Sequence, residues 1–296
     1  MQVPSFAKIN WTLEILGRRA DGYHELRTIL QTVAVHDDLV FSPAESGIEL
    51  SCDNPEVPCD ETNLIYRATQ LLQQLTGCDK GVKIALQKRI PLGAGLGGGS
   101  SNAAITLLAL SQLWELAVAP DDLFRLGSQL GADVPFFFFG GTGIGIGRGD
   151  EVYPMTDITA ENLLLVNPGI NVPTREIYRN LPSQLTSPAT LNKMPLSLQT
   201  AYASMRWSQL KLRNDLEVPA FTLYPRIKEV RQQLIDLQAN AVLMSGSGST
   251  VFAVFESEAA RAAAQAELGK NGWWCAATRT LSQNEYQAAI TKDFRF

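Results

Sequence analysis

The chain has 296 residues, 45% of them hydrophobic and 19% charged, and its 25 Lys plus Arg against 30 Asp plus Glu leave a net charge of -5. That length argues for about two domains, and the mixture excludes a disordered chain, a collagen-like fibre and a highly charged coiled coil. No global positive field draws polyanions, so any phosphate bound here must be held by a local arrangement.

The N-terminal MQVPSFAKINW places a lysine inside its short apolar stretch, and a secretory signal is not expected. From Ala7 to Ile15, Ala7, Ile9, Trp11, Leu13 and Ile15 alternate with Lys8, Asn10, Thr12 and Glu14, the pattern of a half-buried strand. Gly17 to Tyr23 reads as a polar connection to a second strand at Leu26 to Val35, with further short strands at Asp38 to Ser42 and Ile48 to Cys52. Leu64, Ile65, Ala68, Leu71, Leu72 and Leu75 recur at helical spacing within Asn63 to Thr76, and Gly77 closes that helix. After a strand at Val82 to Gln87, PLGAGLGGGSS forms a loop and Asn102 to Trp114 a helix, with Ser100 or Ser101 as N-cap. Ile90 to Trp114 carries no charge, but its five glycines and polar Ser100, Ser101 and Asn102 leave the apolar part too short to cross a bilayer.

Pro120 starts another helix that Gly131 ends, followed by an extended VPFFFF run and the glycine-rich GGTGIGIGRG, with a first domain ending around Asp150 to Ile158. Beyond it, a strand at Leu163 to Asn167, a helix near Tyr224 to Leu237, strands at Val242 to Met244 and Thr250 to Phe255, a helix at Ser257 to Leu268 and a strand at Trp273 to Thr278 give the order βαββαβ, the ferredoxin-like split unit. Pro173 to Val218, which includes SQLTSPATLNK, is an ill-patterned insertion. Cys52, Cys59, Cys78 and Cys275 contain no CxxC pair, so neither a disulfide framework nor a zinc site is suggested and a reducing, cytoplasmic setting is expected.

Pro91 to Ser101 carries the strongest chemical signal. Glycines let backbone N–H groups approach an anion, and the loop runs into a helix N-terminus whose unpaired N–H groups and dipole favour phosphate. Ser100 and Ser101 suit either a cap or a phosphate or Mg²⁺-water contact. Gly93, Gly95 and Gly98 satisfy GxGxxG, yet a second helix follows where a dinucleotide fold needs a strand ending in an acidic residue. The sole Gly-Lys, Gly269-Lys270, is followed by Asn271, which excludes a Walker A loop, and no HRD or DFG supports a protein kinase. HExxH and GxSxG are absent, and His24 and His36 are the only histidines. By itself Lys8 reads as a solvated strand residue and Asp133 as part of a turn. SGSGST at Ser245 to Thr250 suits a hairpin turn or a second phosphate loop equally.

Together, AKIN at Ala7 to Asn10, PLGAGLGGGSSNAA at Pro91 to Ala104 and SGSGSTVFAVF at Ser245 to Phe255 resemble the three motifs of the GHMP kinases, in the right order. RADGYHEL (Arg19 to Leu26), GADVPFF (Gly131 to Phe137) and RNDLE (Arg213 to Glu217) are similar to the branch that acts on 4-diphosphocytidyl-2-C-methyl-D-erythritol. The resemblance implies a two-domain α/β (α+β) fold. A ribosomal-protein-S5-like N-terminal, ATP-binding domain at 1–156 is followed by a ferredoxin-like C-terminal domain at 157–296 that contributes to a substrate cleft. It implies transfer of the γ-phosphoryl of ATP, with Mg²⁺, to the 2-hydroxyl of that substrate, on the non-mevalonate route to isoprenoid precursors. Homoserine- or mevalonate-type kinases and a non-catalytic nucleotide sensor are the alternatives.

By position, the resemblance makes Lys8 and Asp133 the catalytic pair. It makes Pro91, Leu92, Gly93, Ala94, Gly95, Leu96, Gly97, Gly98, Gly99, Ser100 and Ser101 the ATP phosphate loop. Asn10 and Thr174 then stand near the methylerythritol diphosphate, and Tyr23, His24 and Tyr178 around the cytidine. Phe6 and Trp11 flank AKIN where smaller or aliphatic residues are usual. The implied partner is a small molecule with a cytidine diphosphate group. No nucleic acid, membrane or obligate protein partner, and no resident metal, is expected, and the setting is that of a bacterial cytoplasm or a processed plastid form.

Overall fold

The computed structural model describes residues 1–185 and 206–293. Most of the SQLTSPATLNK stretch lies outside the described residues. Two sheets organise the described residues. The first has seven strands: β1 (Gln2–Arg18), β2 (His24–Ala44), β3 (Ile48–Cys52), β4 (Gly81–Gln87), β5 (Thr142–Gly147), β6 (Glu151–Pro154) and β8 (Arg213–Asn214). Its main path runs β3-β4-β2-β1-β8, with β5 on β2 and β6 on β5.

The two β runs expected at Leu26 to Val35 and Asp38 to Ser42 are one strand. Opposite β1, Ala7 pairs with Val33 while the adjacent Phe6 pairs with His36, so Ala34 and Val35 form a bulge in β2. A bulge bends a strand and disrupts its ladder locally. On its other edge, β2 pairs with β5 over Leu26–Gln31 before the bulge and with β4 over Asp38–Ala44 after it. Thr32 and Ala34 instead bond Gly141 and Arg279.

Helices α1 (Leu64–Thr76), α2 (Gly98–Leu113) and α3 (Pro120–Leu130) follow the strand framework. Asn63 caps α1 by accepting from Ile65 N, and Gly77 ends it in the left-handed conformation. The expected extended VPFFFF run is a 3₁₀ turn at Pro135–Phe138, because Pro135 supplies a helical φ at its first position. These elements share a core of Leu30, Leu39, Ile65, Leu72, Leu107, Phe136 and Phe137.

The second sheet contains β7 (Leu163–Asn167), β9 (Ala241–Met244), β10 (Val251–Val254) and β11 (Trp274–Thr278) in the order β11-β7-β10-β9, every pair antiparallel. With α6 (Pro225–Asp236) and α7 (Glu258–Gly269) as crossovers, this is the expected βαββαβ unit. Leu164, Val166, Met244, Val251 and Ala253 face these helices. Leu163, Leu165, Leu243, Phe252 and Val254 face the first sheet, where Trp11 meets Phe252 edge to face at 5.4 Å. Short helices α4 (Thr174–Arg179) and α5 (Glu217–Leu223) flank the join, and α8 (Gln283–Ile290) returns to the first core through Leu281, Tyr286 and Ile290.

β1 is consequently buried on both faces. Lys8, Asn10 and Thr12, expected on a solvated face, are 3%, 2% and 7% exposed. A polar stripe so deeply covered must be hydrogen-bonded or serve a ligand.

Candidate active site

Gly93, Gly95 and Gly97 alternate through the Pro91–Ser101 loop with φ of 56°, 74° and 69°. At Gly95 a Cβ would stand 2.1 Å from Ser245 O, and at Gly97 it would stand 3.0 Å from Lys8 Cγ and 3.1 Å from Phe137 Cζ. Both handedness and space therefore require glycine. Gly97 is itself the N-cap of α2, which starts at Gly98 with no side-chain cap. The helix thus begins three residues before Ser101, and neither serine caps it. Ser101 N already bonds Gly97 O, so the amides of Gly98, Gly99 and Ser100 are the helix's open donors, with no acidic residue in the turn to compete for them.

Buried Asp37 ties down the approach to this loop. Its carboxylate accepts from Lys88 Nζ at 2.7 Å, from Arg89 N and Ile90 N at 2.8 Å, and from Asn102 Nδ2 at 3.1 Å. Asn102 also donates to Ser5 Oγ, which donates to Ser101 Oγ, both at 2.8 Å. Ser101 is fully buried in this network behind the loop, away from the cleft that Ser100 lines.

The Ser245–Thr250 segment joins β9 to β10 and docks on the first loop as well. Thr250 N donates to Ala94 O at 3.1 Å and Ser245 Oγ to Gly95 O at 2.9 Å. Asn214 Nδ2 donates to Met244 O and Gly246 O, both at 2.8 Å, and Glu217 Oε1 accepts from Met244 N. Thr174 Oγ1 lies 2.8 Å from Ser247 Oγ. The RNDLE motif is thus the clamp that holds the second glycine loop, while Asp215 secures it to β1 by accepting from Ile15 N at 2.8 Å.

Lys8 Nζ emerges between the two loops. It donates to Asn10 Oδ1 at 2.8 Å and stands 3.3 Å from Asp133 Oδ2. Asn10 is fixed in turn, since its Nδ2 donates to Thr28 Oγ1 at 2.7 Å and Thr28 Oγ1 donates to Thr12 O at 2.6 Å. An ammonium has three donors, which leaves Lys8 one beyond these two contacts. Asp133 stands in the turn between Gly131, the cap of α3, and the 3₁₀ turn. From behind, Tyr286 Oη donates to Phe137 O, and Gln287 Nε2 donates to Phe138 O at 3.1 Å and Phe139 O at 3.0 Å.

Aromatic groups line the other end. His24 and Tyr178 have ring centroids 5.4 Å apart, tilted by 32°. A flat ring sandwiched between two others needs about 7 Å, twice an optimal carbon contact, so this pair leaves no room for a third ring between them. Burial, aided by the Arg18 charge, holds the His24 imidazole below its usual 6.5. His24 Nε2 is buried with no partner among the described residues, the mark of a group awaiting a ligand. The Tyr178 phenol is pushed well above its usual range, mainly by burial and further by the Asp133 charge. Tyr23 is 59% exposed at the rim.

All the residues singled out from the sequence except Ser101 line a single cleft of about 1530 Å³. Sites for one small ligand run to about 300–1,000 Å³, so this cleft is larger than a single such site. Lys8, Arg18, Lys88, Arg148, Arg175 and Arg179 line it with Asp21 and Asp133; with Lys88 paired to Asp37 and Arg148 to Asp150, it keeps a smaller excess of positive charge in an acidic protein. Lys88, Arg148 and Asp37 were not singled out from the sequence, and Asn214 only as part of RNDLE, without a role. Their partners lie 15 or more positions away or in turns without a motif. Among the described residues no group of three or more His, Cys, Asp or Glu is placed to hold a metal, and no helix is long and apolar enough to cross a membrane.

Comparison with known proteins identifies the family to which the whole chain is related. Residues 63–141 match the GHMP kinases N terminal domain and residues 196–272 the GHMP kinases C terminal domain. A 4-diphosphocytidyl-2-C-methyl-D-erythritol kinase of Syntrophus aciditrophicus is 41% identical over 93% of this chain and 96% of its own length. One of Citrifermentans bemidjiense is 40% identical over 95% and 99%. A crystal structure of 4-(cytidine 5'-diphospho)-2C-methyl-D-erythritol kinase superposes with a TM-score of 0.79 at 37% identity, covering 95% of this chain and all of the other. Homoserine kinase from Cytophaga hutchinsonii shares the fold, with a TM-score of 0.67 at 18% identity over 95% of each chain.

Proposed function

This chain belongs to the GHMP kinase family, and we propose that it transfers the γ-phosphoryl of ATP to the 2-hydroxyl of 4-diphosphocytidyl-2-C-methyl-D-erythritol, giving the 2-phosphate and ADP. The observation that carries the reading is the Lys8–Asp133 pair at 3.3 Å, set between the glycine loop and an aromatic end with an unpartnered His24 Nε2.

In this reading residues 1–156 form the ATP-binding lobe and residues 157–296 the lobe that completes the substrate cleft. The open amides of Gly98, Gly99 and Ser100 hold the ATP phosphates, and Lys8 directs its remaining donor to the transferring group. Asp133 accepts a hydrogen bond from the acceptor hydroxyl and orients it, taking its proton as the bond to phosphorus forms. Asn10 and Thr174 line the methylerythritol diphosphate. Tyr23, His24 and Tyr178 receive the cytosine, with neutral His24 offering Nε2 to its edge. Mg²⁺ would need only one or two protein oxygens besides those of the phosphates; Ser100, at the start of α2, would supply one, and the ion would neutralise phosphate charge. Four free cysteines suit the reducing cytoplasm that we propose as its setting.

The test is ADP release with Mg²⁺-ATP and the cytidylyl substrate, run beside mevalonate and homoserine, with phosphorus NMR of the product. Turnover of the cytidylyl substrate alone, with a new phosphomonoester at the 2-position, is expected. Turnover of either other alcohol in its place overturns the assigned substrate but keeps the kinase. ATP binding without turnover of any of the three overturns the proposed reaction.

A further inference from the structure

The glycine-rich run at 140–149 carries a single charged residue, Arg148. Arg148 occupies the hairpin between β5 and β6, flanked by Gly147 at φ 68° and Gly149 at φ 96°, and Gly149 N closes the turn on Ile146 O at 2.9 Å. Because β5 pairs with β2 from Leu26 onward, Leu26 opposite Gly147, this hairpin sits beside the β1–β2 turn that carries Tyr23. The Arg148 guanidinium carbon stands 5.3 Å from the Tyr23 ring centroid, within cation–π range. Its Nη2 donates to the largely buried Asp150. Both Arg148 and Tyr23 line the cleft, at the aromatic end with His24 and Tyr178.

An exposed arginine paired with a residue two positions away contributes little to stability. Here the pairing has another consequence. Asp150 and the Tyr23 face hold the guanidinium at a set orientation, and a guanidinium has five N–H donors of which Asp150 takes one. A pre-oriented fork of this kind matches two oxygens of a phosphate or diphosphate. In return, its flat face restrains a Tyr23 ring that stands on a turn at Gly22 with φ 86° and is otherwise open to solvent.

We infer that Arg148 is a specificity-determining residue that recognises the diphosphate of the cytidine diphosphate group and, through its stacking on Tyr23, orders the ring against which the base end is held. This rests on the proposed substrate. The ATP phosphates have their own donors at the start of α2, so the effect of Arg148 falls on the acceptor and not on the nucleotide donor.

Arg148→Met and Arg148→Lys test it. Both should fold, since the side chain is 37% exposed. In Arg148→Met the KM for the cytidylyl substrate rises about tenfold or more, the loss of one charge-assisted bond, while the KM for ATP stays within about twofold. Arg148→Lys, with charge but no fork or flat face, recovers only part of the loss. Independently of turnover, CDP raises the Tm of the wild type more than cytidine does, and Arg148→Met abolishes the difference. An unchanged acceptor KM with an unchanged CDP advantage, equal rises in both KM values, or no CDP advantage in the wild type overturns the inference. If the wild type does not turn over the cytidylyl substrate at all, the proposed function fails, and the CDP-against-cytidine comparison alone decides for or against Arg148.

Discussion

A tertiary alcohol is a crowded, weak nucleophile, so the geometry around Lys8 and Asp133 matters more than their residue types. Lys8 is pinned by Asn10, which is itself pinned by Thr28, so the cation next to Asp133 has little freedom to lose in the transition state. Asp133→Asn removes the acceptor while keeping the shape. Its kcat should fall by about 10² or more with KM little changed, whereas near-normal turnover would remove Asp133 from the chemistry. His24 gives a pH signature. Its folded pKa is depressed below 6.5, so its contribution to stability is fully present above that value and lost as pH falls through the depressed folded value. Unfolding free energies measured from about pH 8 to pH 5 should fall less steeply in His24→Gln than in the wild type; superimposable profiles would refute this.

At the scale of elements, the start of α2 decides how the nucleotide is held. A serine N-cap would consume one of the open amides, whereas a glycine N-cap leaves the first turn of the helix free for anions. Gly97→Ala meets a left-handed φ of 69° and contacts of about 3 Å to Lys8 and Phe137. The strain alone is roughly 1–2 kcal/mol, and relieving it must move the loop or Lys8. We expect kcat/KM for ATP to fall about tenfold or more with the circular dichroism spectrum preserved; unchanged kinetics would mean the loop can rearrange without cost. The bulge at Ala34 and Val35 acts at the same scale, since by bending β2 it lets one strand serve β5 and β4 in turn. Nothing in an alternating apolar pattern distinguishes a bulged strand from two strands.

In the whole molecule, the end of the chain braces its first half. Leu281 N donates to Thr32 O at 2.9 Å, and the fully buried Tyr286 packs beneath Gly140, whose Cβ would fall 2.3 Å from the ring. Tyr286→Ala should cost about 3–5 kcal/mol, as other large aromatic truncations do. Denaturant unfolding would show it, and a loss under about 1 kcal/mol would contradict the packing.

Local information was enough for much of this protein. The Gly77 cap of α1, the βαββαβ order of the second sheet and the glycine loop before a helix were all legible, because propensity, periodicity and capping act within a few residues. Three motifs in order carried the family; Lys8 lies in the first of them, and Asp133 in the separate GADVPFF stretch. By themselves those two read as a solvated strand residue and part of a turn, since exposure is not a property of the residue. Only the tertiary structure decided that both faces of β1 are buried, that Ser245–Thr250 docks on Gly95, that Ser101 faces inward and that Arg148 meets Tyr23. Each of these depends on contacts between segments distant in sequence, whose partners are chosen by the packing of two sheets and not by their neighbours along the chain.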